Sequence, residues 1–346
     1  MILDDGATIL SSAIRLATPL GFAACGEYLA ERAGTMNISI EGMMITGAFT
    51  AVAAASATRS ATLGLLVGAL AGLVLGAIHG AMAHRLAVNT FVVGLTLNVL
   101  ALGATSFFNE SIELTGHQVA QVSIPVLRDI PLVGEPLFVQ RWPVYLLLGF
   151  VPLTWYLVER TRWGLELRAV GENPQGADVT GIRVNVRRQQ ALLWCGLFSG
   201  LGGAYLAVGA VGSFNDNMTA GRGYLVIAAV IFGAWRLRGT IVGVALFGLA
   251  DALRLALPAV GLRLNSQLLI AAPYLLALAA MVLVVRRTPQ PGALGKPFTE
   301  RGGAPVDAAA VDQSSPEKRS QAACLETPSA APIRVQLMPR RRRTST

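Results

Sequence analysis

Residues 62–84 read TLGLLVGALAGLVLGAIHGAMAH, an apolar run with a glycine at every fourth position, from Gly64 through Gly68, Gly72 and Gly76 to Gly80. A helix needs roughly 20 apolar residues to cross a hydrocarbon core of about 30 Å. A barrel strand is about ten residues long and alternates polar with apolar; this run is continuous. It therefore reads as a spanning helix. The helical period sets all five glycines along one face, where a second helix can approach closely. His79, beside Gly80, is expected as a satisfied helix-interface residue rather than a ligand.

Working outward, similar runs recur. Membrane segments are predicted at 7–26, 36–58, 62–84, 89–108, 143–160, 189–211, 223–236, 239–257 and 266–285. The segment at 223–236 is short for a full crossing. Of the 346 residues, 53% are hydrophobic and 14% charged, against about 25% charged in a soluble domain. Backbone facing lipid must satisfy its own hydrogen bonds. The fold class is thus an all-α polytopic membrane protein of about nine transmembrane or re-entrant helices. Arg15 sits awkwardly in the first segment, so residues 3–15 are expected as an interfacial helix, with snorkelling as the alternative. From residue 288 the chain turns Pro/Gly/Ala/Ser-rich without apolar periodicity, a composition that cannot bury enough surface to fold. The expected domains are a transmembrane body, 1–287, and a disordered cytoplasmic tail, 288–346. The run Arg340–Arg343 reads as a solvated charge cluster or a contact with anionic membrane lipid.

The net charge of +8 does not call for nucleic acid, because membrane proteins concentrate arginine in cytoplasmic loops. Taking 161–188 as cytoplasmic places Arg32, Arg85, Arg160, Arg168, Arg187 and Arg236 inside, with fewer arginines opposite, among them Arg59, Arg141 and Arg222. The N-terminus is then outside and the C-terminus inside. Cys25, Cys195 and Cys324 form no C-x-x-C pair, which points to neither a metal site nor a disulfide framework. MILDDGATILSSAIRLATPL has no basic region before its apolar part, so a cleaved signal peptide is not expected.

An internal echo bears on architecture. Residues 26–30 read GEYLA and 203–207 read GAYLA. A polar patch follows each: Asn37, Ser39 and Glu41, then Asn215, Asp216 and Asn217. After each patch comes an apolar run, EGMMITGAFTA and RGYLVIAAVIF. The first patch falls on the inner side and the second on the outer. Paired interruptions of that kind mark an inverted repeat and its substrate path.

Catalytic chemistry is absent from the pattern. His79, His84 and His117 are scattered, and neither G-x-S-x-G nor H-E-x-x-H occurs. The lysines, Lys296 and Lys318, both lie in the tail, and GALGKPF around Lys296 lacks the phosphate cradle G-x-x-x-x-G-K-[ST]. ATP-driven transport would need hydrolysis on another subunit. Apart from Arg15 and Asp251, the predicted segments carry no ionisable group that would mark a proton relay. Asp251 and Arg254 are expected to pair locally. The polar exception is GENPQGADVTGI at 171–182. Asn173 can cap a helix whose first position is Pro174, since proline lacks the N–H left unpaired there. Gly181 suits its C-terminus. A helix of about two turns is too short to stand alone, so docking is expected to hold it.

GEYLAERAGTMNISIEGMMITGAF, NTFVVGLTLNVLALGATSF, LRAVGENPQGADVTGI and GRGYLVIAAVIFGAW resemble, in order and spacing, the permease subunits of bacterial ABC importers. The branch is that for nucleosides and simple sugars, related to the ribose and branched-chain amino-acid permeases. ERAGTMNISIEG looks most like the nucleoside members. The similarity covers roughly residues 7 to 287; WRLRGT at 235–240 departs from it, where relatives often carry a proline.

The resemblance implies a non-catalytic subunit in a bacterial inner membrane. Two permease chains, alike or paralogous, form the pathway. ATP-binding domains, which hold the ATP and magnesium, sit beneath, and an extracytoplasmic binding protein delivers the substrate. No cofactor is expected on this chain. It also implies that Glu172, Asn173, Pro174, Ala177, Asp178, Gly181 and Ile182 form the coupling helix gripped by the ATPase. For the substrate path the candidates are Asn37, Glu41, Asn89, Asn98, Asn215 and Asp216, polar groups at segment ends or within segments; membrane asparagines such as Asn98 also serve as helix glue. Nucleosides are the expected cargo, with simple sugars or branched-chain amino acids as the alternative and an ion-coupled secondary transporter as the rival class.

Overall fold

The glycine-rich run folds into α3 (Ala61–Gly80), continued by a π-helical turn, Ala81–Arg85. Ser60 starts it by accepting a hydrogen bond from the Leu63 N–H. A Cβ added at Gly72 would stand 2.3 Å from the Gly196 carbonyl oxygen, and one at Gly196 would stand 2.3 Å from that of Gly72. Two backbones in such contact leave no room for side chains, which explains the four-residue spacing.

The computed structural model describes residues 2–112, 114–123, 134–259, 266–284 and 290–298. The predicted segments appear as α1 (Ile2–Arg32), α2 (Ile40–Thr58), α3, α4 (Thr90–Ser111), α6 (Trp142–Arg160), α9 (Val184–Ala204), α10 (Arg222–Phe232), α11 (Leu237–Ala259) and α12 (Ser266–Val284). A π-helical stretch, Tyr205–Val211, extends α9. Between α4 and α6 lie a short α5 (Gly134–Phe138) and an antiparallel pair, β1 (Gln121–Ser123) with β2 (Val139–Arg141), Val122 opposite Gln140. The polar loop supplies α7 (Arg162–Glu172) and α8 (Pro174–Val179). Among the described residues, seven helices are long and apolar enough to cross a membrane; α10 is not.

Packing follows an exchange of partners. α3 lies along α9, and α11 lies along α1. α2 sits among α3, α4 and α9, whereas α10 sits among α11, α12 and α1. Swapping α1 with α9, α2 with α10, α3 with α11 and α4 with α12 preserves the pattern, as two related halves around a shared axis require. α1 meets the π-helical extension of α9 through Phe22 and Tyr205, ring centroids 6.5 Å apart.

Three expectations change. The interfacial helix at 3–15 does not form, because α1 is one helix from Ile2 to Arg32. Arg15 lies on its exposed side, so the charge does not interrupt it. The same helix overruns the predicted end at 26, bringing Glu27 and Glu31 into the interior at 0% and 1% exposure. The membrane segments therefore do hold buried carboxyl groups. Lastly, residues 290–298, which composition assigned to the tail, pack on the helical body: the Ala293 N–H donates to Gly171 O, and that of Gly295 to Gly34 O. The remainder of the tail, including Arg340–Arg343, lies outside the described residues.

Candidate functional site

The two halves touch where α2 and α10 begin. Glu41, in the first turn of α2, accepts three hydrogen bonds from the other half: from the Thr219 hydroxyl at 2.6 Å, the Gly221 N–H at 2.7 Å and the Gly223 N–H at 2.6 Å. The first N–H groups of a helix lack internal partners and carry partial positive charge. α10 has no capping side chain of its own; the Glu41 carboxylate does that work from across the junction. Asn98 of α4, 8% exposed, secures the other side. Its Oδ1 accepts from the Gly42 N–H at 2.7 Å, and its Nδ2 donates to Ile38 O at 2.8 Å and to the Tyr224 hydroxyl at 3.0 Å. One asparagine thus bonds the start of α2 and the first turn of α10.

Below the start of α2 a buried polar chain begins at Asn37. Its Oδ1 accepts from the Ser39 N–H and hydroxyl, and its Nδ2 donates to Cys195 Sγ at 3.1 Å. The Cys195 thiol in turn donates to Glu27 Oε2 at 3.3 Å. The Ser39 hydroxyl also pairs with His79 Nδ1 at 2.7 Å, while His79 Nε2 pairs with the Thr90 hydroxyl at 2.8 Å. Both nitrogens of His79 are therefore engaged inside the protein. The Trp235 indole N–H donates to Glu31 Oε2. Trp235 and Ala234 take φ of 54° and 56°, so the WRLRGT turn runs left-handed through non-glycine residues while that bond holds the indole inward.

The second patch is built differently. Asn215 and Asp216 are exposed, and among the described residues Asp216 Oδ1 accepts from Asn109 Nδ2, at 3.2 Å. Asn89 stands apart from both patches and caps α4, accepting from the Phe91 N–H at 2.9 Å. The six path candidates therefore divide: Glu41 and Asn98 meet at the junction, Asn37 lies in the buried chain, Asn215 and Asp216 face outward, and Asn89 terminates a helix. Asp251 pairs with Arg254 at 2.9 Å and also with Arg222 of α10 at 2.8 Å.

In the polar loop, Asn173 Oδ1 accepts from the Gly176 N–H at 2.9 Å, with Pro174 next in the first helical turn. Gly181 takes φ of 87° and closes the end. Ala177 turns inward against Val170 and Val184, while Gln175 and Val179 face out. Beside the loop a cavity of about 810 Å³ opens between α1, α6, α7 and the α10–α11 turn, with Arg32, Arg168, Glu159 and Glu172 in its wall. Arg168 pairs with Glu159 at 2.8 Å.

Sequence reading missed Glu27, Glu31, Thr219, Tyr224 and Arg188. The two carboxylates stand four apart in GEYLAER, directly after an apolar run, and that spacing was a usable signal; Arg188 is indistinguishable in sequence from other loop arginines. Among the described residues no three His, Cys, Asp or Glu side chains gather as a metal-ligand set.

Residues 9–285 match the family model described as a branched-chain amino acid transport system permease component. The chain is 35% identical over 311 residues to a putative glucose ABC transporter permease of Haloferax volcanii, covering 83% of this chain and 94% of that one. It is 33% identical to a nucleoside ABC transporter permease of Lactococcus lactis, covering 83% and 95%. To a guanosine ABC transporter permease of Bacillus subtilis it is 32% identical, covering 84% and 96%. No solved structure matches it.

Proposed function

The chain belongs to the family of branched-chain amino acid transport system permease components, and from that premise we propose that it forms the pathway of an ATP-driven nucleoside importer, powered by a separate ATPase that grips α8. It is a multi-pass membrane protein and the permease component of an ABC transporter. The observation that carries the coupling reading is the loop itself. A six-residue helix, capped by Asn173, started by Pro174 and closed by Gly181, is preformed yet far too short for independent stability. Its outward side, Gln175 and Val179, has no partner within the described chain. A preformed projection of this kind takes up little ordering entropy on docking. Closure of an ATPase dimer would pull on α8, and α9, which begins five residues after α8 ends, would carry the motion to the junction of Glu41 and Asn98.

Nucleosides are favoured by the relatives that carry them and by ERAGTMNISIEG. A simple sugar is the second reading, favoured by the Haloferax volcanii relative. A second permease chain and an external binding protein complete the proposed assembly. Deletion of Pro174–Gly181 tests the coupling: the variant should insert in the membrane, lose its ATPase and lose uptake. Normal uptake by that variant overturns the proposal. Competition of labelled guanosine by unlabelled nucleosides, and not by glucose, separates the two cargoes.

A further inference from the structure

The segment after the last helix does more than end the chain. Residues 290–298 run beneath the loop that carries α8, and their contacts reach three elements at once. The Ala293 N–H donates to Gly171 O in α7 at 3.0 Å, and the Gly292 N–H donates to Glu172 Oε2 at 3.3 Å. The Gly295 N–H, at a residue with φ of 72°, donates to Gly34 O, just past the end of α1, at 3.0 Å. Phe298, 8% exposed, packs with Val170, Ala177 and Val184, so its ring bears on the inward side of α8. Approach is close enough that a Cβ at Gly292 would stand 2.7 Å from Glu172 O.

Arg188 fastens this arrangement. It is 1% exposed and forms no ion pair among the described residues. Instead its Nε donates to Ala33 O at 3.2 Å, and its Nη1 donates to Lys296 O at 2.8 Å. A buried guanidinium presents donors in a fixed fork, and here the fork spans the exit of α1 and the C-terminal segment from the second turn of α9. Gly34 must be small at this point, since a Cβ there would meet Arg188 Nη2 at 3.1 Å.

We infer that residues 290–298 are a strap that makes α8 rigid against the ends of α1 and α9, with Phe298 and Arg188 as positioning residues for coupling. Without the strap, α8 is held by one turn of α7 and a short link to α9, and a pull on it is spent in flexing the loop. With the strap, the same pull reaches α1 and α9 as one block. This deepens the proposed coupling role and rests on it for its transport consequence, whereas the rigidity itself does not depend on any partner.

Two readouts on the full chain test it. The first is amide hydrogen exchange of residues 174–182 in the purified permease alone. Phe298→Ala and Phe298→Asp should raise the exchange rate there about tenfold or more, while Phe298→Leu, which refills most of the pocket, should stay within about twofold of the parent chain. The second is solute moved per ATP hydrolysed in the reconstituted importer. It should fall severalfold in the Ala and Asp variants at equal amounts of assembled complex, and recover with Leu. Unchanged exchange at 174–182 in both disruptive variants overturns the strap. So does an unchanged transport ratio despite faster exchange, and so does a Leu variant as impaired as Ala. If the parent chain fails to recruit any ATPase, the proposed function fails, and the exchange measurement still decides whether the strap holds α8.

Discussion

The chain breaks twice at related places, at 33–39 before α2 and at 212–221 before α10, and the two breaks are built on opposite principles. Every polar side chain of the first is enclosed: Thr35, Asn37 and Ser39 are each buried, and each has a partner inside the protein. The second leaves Asn215, Asp216 and Asn217 exposed, with Asn217 at φ of 54°, and buries only Phe214 and Thr219. Related positions in two halves have thus diverged into a fixed seat and an open rim. The seat stands on the side of α8 and the strap. The rim stands where an incoming solute would first meet the chain under the proposed orientation. Glu41, in the helix after the first break, bonds directly to the second break and the helix after it, through Thr219, Gly221 and Gly223.

Substitutions can break or sharpen that contrast. The largest loss should come from Glu41→Ala, which strips acceptors from Thr219 and two backbone N–H groups. Charged hydrogen bonds and buried unpaired donors put the cost at about 3 kcal/mol, read as loss of unfolding free energy in detergent. Asn37→Ala should follow at about 2 kcal/mol, since it leaves the Ser39 N–H and hydroxyl without their acceptor. Asn98→Ala should cost about 1 to 2 kcal/mol, the upper range of interhelical polar contacts in membranes; retained full stability there would mean that Asn98 does not hold the starts of α2 and α10 together. Smallest in stability, Asp216→Ala should stay within about 0.5 kcal/mol, as surface changes do, yet lower uptake severalfold. If Asp216→Ala proves as destabilising as Asn37→Ala, the distinction between seat and rim is gone.

Legibility in the sequence tracks how local the determining physics is. Long apolar runs show themselves by length, and the α8 caps show themselves within a few residues, because Asn173 and Gly181 act on their own backbone. Gly72 could be read as a packing residue, although its partner Gly196 could not. Glu41 stands out in the sequence as a polar group at a segment start, but its partners do not: they lie at Thr219, Gly221 and Gly223, far away in the chain. Glu27 and Glu31 escaped because a charge conventionally ends a predicted span, whereas here Cys195 of α9 and Trp235 of the α10–α11 turn arrive to donate hydrogen bonds to them. The 290–298 segment looked unstructured by composition, since what holds it is mostly backbone N–H bonding to Gly171 and Gly34, and composition does not record backbone partners.

The central claim is that this chain is a passive path worked from outside itself through α8. Proteoliposomes of defined orientation, loaded with the permease alone or with its ATPase, decide it by uptake of labelled nucleoside delivered by the binding protein. Accumulation above the external concentration should require both the ATPase and ATP, and should vanish when residues 174–181 are removed. Uphill accumulation by this chain alone, driven by an ion gradient, would contradict the account.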